Sequence, residues 1–129
     1  MNDEPLNQNE LETLRILWDK GESKPADIEG QFSWPIENAT LRSVLMNLLR
    51  KRQVSRRREG KAYFYAARVP KKTLLQSMMG RLAEVFAGGS HRELVAQLVE
   101  SGELKREDLI ALKRVADQGE QVDRKEKRV

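Results

Sequence analysis

Residues 38–66 read NATLRSVLMNLLRKRQVSRRREGKAYFYA, and this stretch decides the fold. At helical spacing Leu41, Val44, Leu45, Leu48 and Leu49 line one side of a helix running from Asn38 to about Arg52. Arg42, Ser43, Met46, Asn47 and Arg50 fall on the other side, with Thr40 at its margin. That outer face carries no acid. It offers a guanidinium, hydroxyls and an amide, groups that suit base edges and phosphates in a major groove. An ordinary amphipathic surface helix would show the same stripe, so the helix by itself leaves both readings open.

Directly after it, Gln53–Arg58 and Lys61–Ala66 form two β-competent runs about a Glu59-Gly60 turn signal, the pattern of a hairpin. Arg56, Arg57, Arg58 and Lys61 crowd the first strand and the tip. Three consecutive arginines repel one another and alternate across a strand, so the cluster is costly unless an anion neutralises it. Phosphates would do so. Tyr63 and Tyr65 share a face and are expected to dock the hairpin on the helices.

Toward the N-terminus, Asn7 and Glu10 have the spacing of a capping box, and Leu6 and Leu11 that of a hydrophobic staple. Leu11, Leu14, Leu17 and Trp18 give the first helix one apolar stripe, and Gly21 ends it. Pro25 opens a short second helix through Ala26, Ile28 and Phe32, and Ser33-Trp34-Pro35-Ile36 reads as the turn. Helix, helix, turn, amphipathic helix and basic hairpin is the order of a winged helix-turn-helix. There the third helix lies in the major groove, while the hairpin follows the backbone or enters the neighbouring minor groove.

Toward the C-terminus, Leu74, Leu75, Met78, Met79, Leu82, Val85 and Phe86 make a wide stripe on a helix starting near Pro70 and stopped by Gly88-Gly89. Ser90 and Glu93 cap a short helix bearing Leu94, Val95, Leu98 and Val99; after Gly102 a last helix presents Leu109, Ile110, Leu112, Val115 and Ala116. This is more apolar surface than a segment of about fifty residues readily buries alone. A second copy would complete the core, with Leu74, Leu75, Met78, Leu82, Phe86, Leu94, Leu98, Leu109, Leu112 and Val115 as the expected dimer interface. Composition shifts near Pro70 and Gly119 divide the chain into a winged helix domain at 1–69, a helical dimerisation region at 70–118 and a disordered tail at 119–129.

Composition narrows the function. Among 129 residues there is no cysteine, which removes disulfides, thiolate metal sites and cysteine nucleophiles, and His91 is the one histidine. Neither a metal nor a cofactor is expected, and an enzyme using carboxylates such as Glu10 or Asp27 is a remote reading because no catalytic motif accompanies them. Residues 1–40 carry three basic and nine acidic side chains, a balance of −6, whereas residues 41–75 carry eleven basic and one acidic, a balance of +10. The positive segment therefore coincides with the third helix and the hairpin, as expected where one face meets a polyanion. No run of about 20 apolar residues is present, so membrane insertion is not expected, and the acidic start suggests a cytoplasmic protein.

Leu11-Glu12-Thr13-Leu14-Arg15-Ile16-Leu17-Trp18, Thr40-Leu41-Arg42-Ser43-Val44-Leu45-Met46-Asn47-Leu48 and Tyr63-Phe64-Tyr65 resemble the penicillinase repressor family of BlaI, MecI and CopY. The resemblance implies a dimeric bacterial repressor whose winged domains each bind half of a dyad operator. Thr40, Arg42 and Ser43 match the family's recognition-helix positions, and Arg58 and Lys61 flank its wing turn. It also implies an upstream sensor protease as a partner: cleavage at an Asn-Phe bond releases the antibiotic-resistance members, and Gln97-Leu98 stands at that position here. The copper-responsive members use paired cysteines, which are missing from this chain.

The expectation is thus a mainly α protein with a small β-hairpin, a winged helix-turn-helix followed by a helical dimerisation region. It is expected to act as a sequence-specific repressor, a homodimer on double-stranded DNA carrying a pseudo-palindromic operator. Thr40, Arg42, Ser43 and Asn47 would contact bases, and Arg50, Lys51, Arg56, Arg57, Arg58 and Lys61 the backbone. The alternative is a winged-helix protein-interaction module in a larger assembly, with weak DNA binding.

Overall fold

The computed structural model describes residues 5–127, with side chains described as far as residue 119. Asn7 opens helix α1 (Gln8–Lys20): its side chain accepts from the Glu10 N–H at 2.8 Å, and Glu10 Oε1 accepts from the Asn7 N–H at 2.9 Å. Both halves of the capping box are therefore made. The helix stops at Gly21, whose φ of 81° suits a residue without Cβ. Pro25 then starts α2 (Pro25–Gln31), where its missing N–H costs nothing.

The turn between α2 and the next helix is fixed onto α1 by polar groups. Trp34 Nε1 donates to Asn9 Oδ1 and the Ser33 N–H to Glu12 Oε2, each at 2.8 Å. Phe32 and Trp34 meet edge to face with centroids 5.6 Å apart, a favourable aromatic arrangement. Helix α3 (Asn38–Arg50) follows and buries Leu41, Val44, Leu45 and Leu48 against Leu14, Leu17 and Ile28. It ends two residues before the sequence expectation, because Arg52 takes a left-handed φ of 60° and turns the chain. The Arg52 and Gln53 N–H groups donate to Leu49 and Leu48 carbonyls at 3.0 and 2.9 Å, the pattern of a Schellman cap with arginine in the place glycine favours.

Strands β1 (Val54–Glu59) and β2 (Ala62–Ala67) form the antiparallel hairpin, paired from Val54↔Ala67 to Glu59↔Ala62. Its turn is Gly60-Lys61, one residue later than the sequence suggests, with Gly60 at φ 62°. Val54 and Tyr65 enter the helical core. Ser23 exchanges backbone hydrogen bonds with Tyr65 at 3.0 and 2.8 Å, so the α1–α2 link adds a bridge to the hairpin. Trp18 Nε1 donates to the Val69 carbonyl at 2.9 Å and ties α1 to the chain leaving β2.

The chain divides into two compact units after Leu75, rather than at residue 70. Helix α4 (Lys71–Ala87) begins in the first unit, where Leu74 packs against the winged core. The second unit contains the rest of α4, then α5 (His91–Glu100) and α6 (Arg106–Lys127). Gly88 and Gly89, at φ 56° and 91°, close α4, and Ser90 Oγ accepts from the Glu93 N–H at 3.1 Å to start α5. Among the described side chains of this unit, Ala83 and Leu94 are buried apolar residues, while Leu82, Val85, Phe86, Leu109, Ile110, Leu112 and Val115 are exposed. The backbone of α6 is helical to Lys127, through most of the stretch expected as a tail; the side chains beyond residue 119 lie outside the described residues.

Candidate nucleic-acid interface

Because Leu41, Val44, Leu45 and Leu48 are drawn into the core, the opposite side of α3 is turned to solvent. Thr40, Arg42, Ser43, Met46, Asn47 and Arg50 are all exposed there. Ser43 Oγ donates back to the Ala39 carbonyl at 3.2 Å, so its lone pairs remain open to an outside donor. Arg42 has no hydrogen-bond or ion-pair partner among the described residues.

Strand alternation splits the hairpin's basic residues between two faces. Arg56 and Arg58 stand opposite Tyr65 and Tyr63 and share their face; Arg57 stands opposite Phe64 on the other. The Arg56 guanidinium lies over the Tyr63 ring, 4.4 Å from its centroid, and its Nη1 is 3.4 Å from Tyr65 Oη and 3.9 Å from Met46 Sδ. The Tyr65 contact stabilises the charged form of Arg56 and pushes its pKa up. Arg58 Nε donates to the Gly60 carbonyl at 3.0 Å and its guanidinium sits 5.8 Å from the Tyr63 centroid. Arg56 therefore joins the wing to the exposed side of α3. Tyr63, expected with Tyr65 in the core, is instead 37% exposed, because it lies nearer the tip and serves as a platform for the two arginines.

Two of the residues expected at the DNA backbone are engaged within the chain. Lys51 turns inward: it is 8% exposed, and its Nζ donates to Glu10 Oε1 at 2.9 Å and to the Pro5 carbonyl at 3.3 Å. It is an internal ion-pair partner and is not presented to phosphate. Arg57 is neutralised within the chain, gripped by both oxygens of Glu22, with the shortest contact at 2.7 Å, and by Glu59 at 2.8 Å, over the Phe64 ring. Hydrogen bonding to Arg57 pulls the Glu22 pKa down, and Glu22, then Glu59, raise that of Arg57. The repulsion among the arginines is thus relieved by carboxylates on one face, leaving Arg56, Arg58 and Lys61 exposed. Glu22 follows the helix-ending Gly21, and no local pattern links it to a wing 35 residues away.

Two residues expected at the dimer interface are also engaged within the chain. Leu74 packs, partly buried, against the winged core, and Leu94 is buried within the second unit. Leu75, Leu82, Phe86, Leu98, Leu109, Leu112 and Val115 are exposed, and Met78 is half-buried. Gln97 lies inside α5, where its side-chain amide donates to the Phe86 carbonyl at 2.6 Å. Neither remote carboxylate candidate is set up for catalysis: Glu10 is paired with Lys51, and Asp27 accepts the Lys24 N–H at 3.3 Å at the start of α2. Among the described residues there is no cluster of metal-binding side chains, and no helix is long and apolar enough to cross a membrane.

A core-anchored third helix with an acid-free outer face, continued by a basic hairpin, defines a winged-helix protein of the DNA-binding regulator class. Residues 6–118 match the penicillinase repressor family, and the chain belongs to it. Membership places it among transcription regulators and not among enzymes. It is 22% identical, over 88% of its length and 80% of the relative's, to an uncharacterized 16.5 kDa protein in the ptsI 3′ region of Latilactobacillus sakei. Its fold is shared with the transcriptional regulator Tm0710 from Thermotoga maritima, at a TM-score of 0.53 and 12% identity over 93% of this chain and 78% of that one. The YusO protein from Bacillus subtilis is similar too, at a TM-score of 0.51 and 15% identity over 90% and 75% of the two chains.

Proposed function

We propose that this DNA-binding regulator is a sequence-specific repressor that acts in the cytoplasm as a homodimer on a pseudo-palindromic operator. The observation that carries the reading is the outer face of α3, where Thr40, Arg42, Ser43 and Asn47 are exposed together without an acid among them. With α3 in the major groove, these four side chains discriminate bases, and Arg50, Arg56, Arg58 and Lys61 meet phosphates. The many exposed apolar side chains of the second unit support a second copy as the partner, since apolar surface on that scale is rarely left in water. Two linked winged domains would then occupy half-sites about 34 Å, or a multiple of it, apart and exclude polymerase.

The family's release by an upstream sensor protease, carried to Gln97-Leu98, would require α5 to open first, because that bond is inside the helix and Gln97 is tied to Phe86. The proposal is tested by titrating the protein with duplex DNA at several salt concentrations while following its oligomeric state by sedimentation. A dimer with a steep salt dependence and a preferred sequence is expected. Weak, sequence-blind binding together with tight capture by an acidic protein would favour the interaction-module reading.

A further inference from the structure

Met46 is the large apolar side chain on the exposed face of α3, which otherwise carries polar groups and the small Ala39. It is 53% exposed and is flanked along the helix by Arg42, Ser43, Asn47 and Arg50. A single exposed hydrophobic residue is ordinary on a protein surface. What sets Met46 apart is the neighbour supplied by the hairpin. Arg56 Nη1 is 3.9 Å from its Sδ, and Arg56 is held in turn by Tyr65 Oη at 3.4 Å and by the Tyr63 ring at 4.4 Å. The thioether is therefore braced at the junction of helix and wing, beside a positioned cation.

In the major groove the one apolar group on a base edge is the thymine C5-methyl. A thioether is polarizable and adapts its rotamers to such a surface. We propose that Met46 is a specificity-determining residue that receives a thymine methyl, with Arg56 as the positioning residue that braces it. The inference rests on the reading that α3 enters the major groove, and it adds an apolar contact to the polar ones assigned there.

The test uses the full chain. Bound duplexes are selected from a random pool, and each thymine of the selected duplex is replaced singly by deoxyuridine, which removes only the methyl. At one thymine per half-site the wild type should lose about four-fold in affinity, the weight of one buried methyl group. Met46→Ala should bind the two duplexes equally, and so should Met46→Gln, which keeps the length of the side chain. Lower affinity for both duplexes with an unchanged ratio would assign Met46 a structural role and overturn the inference. The absence of any methyl-sensitive thymine would overturn it too, while leaving the DNA-reading role of α3 intact. Failure of the wild type to select any sequence would instead sink the underlying reading, and this inference with it.

Discussion

Lys51 and Arg50 are adjacent and both basic, yet α3 sends one inward and leaves the other on the exposed side. Lys51 ends beside Glu10, whose second oxygen, Oε2, has no hydrogen-bond partner among the described residues. Removing the cation would leave a buried carboxylate uncompensated, so Lys51→Met should cost about 3–5 kcal/mol in a denaturant titration. Glu10→Gln added to that change should recover most of the loss, since glutamine keeps the capping box. A Lys51→Met protein of unaltered stability but weakened DNA binding would show that Lys51 acts at phosphate after all. Glu12 bears on pH in a different way. Its hydrogen bonds from Arg15, and then from Ser33, hold its pKa at about 2, well below the ordinary 4.5. The folded pKa is depressed, so this contribution is complete above about pH 4.5 and is lost as pH falls toward 2. With Arg15 45% exposed, its size is of order 1–2 kcal/mol. Unfolding midpoints compared at neutral and acid pH should show Glu12→Gln to be less pH-sensitive than the wild type; equal slopes would contradict it.

At the scale of elements, the helices and the hairpin are legible in the sequence because their signals are local. Asn7 with Glu10, Pro25, the leucine spacing in α3 and the glycine at the wing turn each act within a few residues. The pairings that decide which basic residues remain available are not local. Glu10 and Lys51 are 41 residues apart, Glu22 and Arg57 are 35 apart, and only the folded chain brings them together. The turn slip of one residue and the left-handed Arg52 also escaped the pattern, since a sequence rule expects glycine where the chain turns. The wing supplies a direct check. Arg57 is already neutralised by Glu22 and Glu59, so Arg57→Ala should leave the slope of log affinity against log salt nearly unchanged. Arg58→Ala and Lys61→Ala should each flatten it by about 0.9. Equal flattening by Arg57→Ala and Arg58→Ala would show that Glu22 and Glu59 do not keep Arg57 from phosphate.

For the molecule as a whole, the second unit buries little of its own apolar surface, which the proposed second copy would cover. Val115, 63% exposed, and Leu112, 49% exposed, lie on α6, and a charge at either should penalise association without touching the winged core. Leu112→Asp is expected to shift sedimentation toward monomer while the thermal transition of the winged unit persists; a dimer of undiminished affinity would place the interface elsewhere. The proposed function requires that α3 reads bases and that two copies read them in tandem. Sequencing the duplexes that the wild type and Arg42→Ala recover from a random pool decides both points. A two-fold symmetric motif is expected, with half-sites about 10 base pairs, or a multiple, apart, and loss of preference at one position per half-site in the variant, worth about 1–3 kcal/mol. Recovery of duplexes without a shared motif, or an Arg42→Ala motif identical to that of the wild type, would contradict the proposed function.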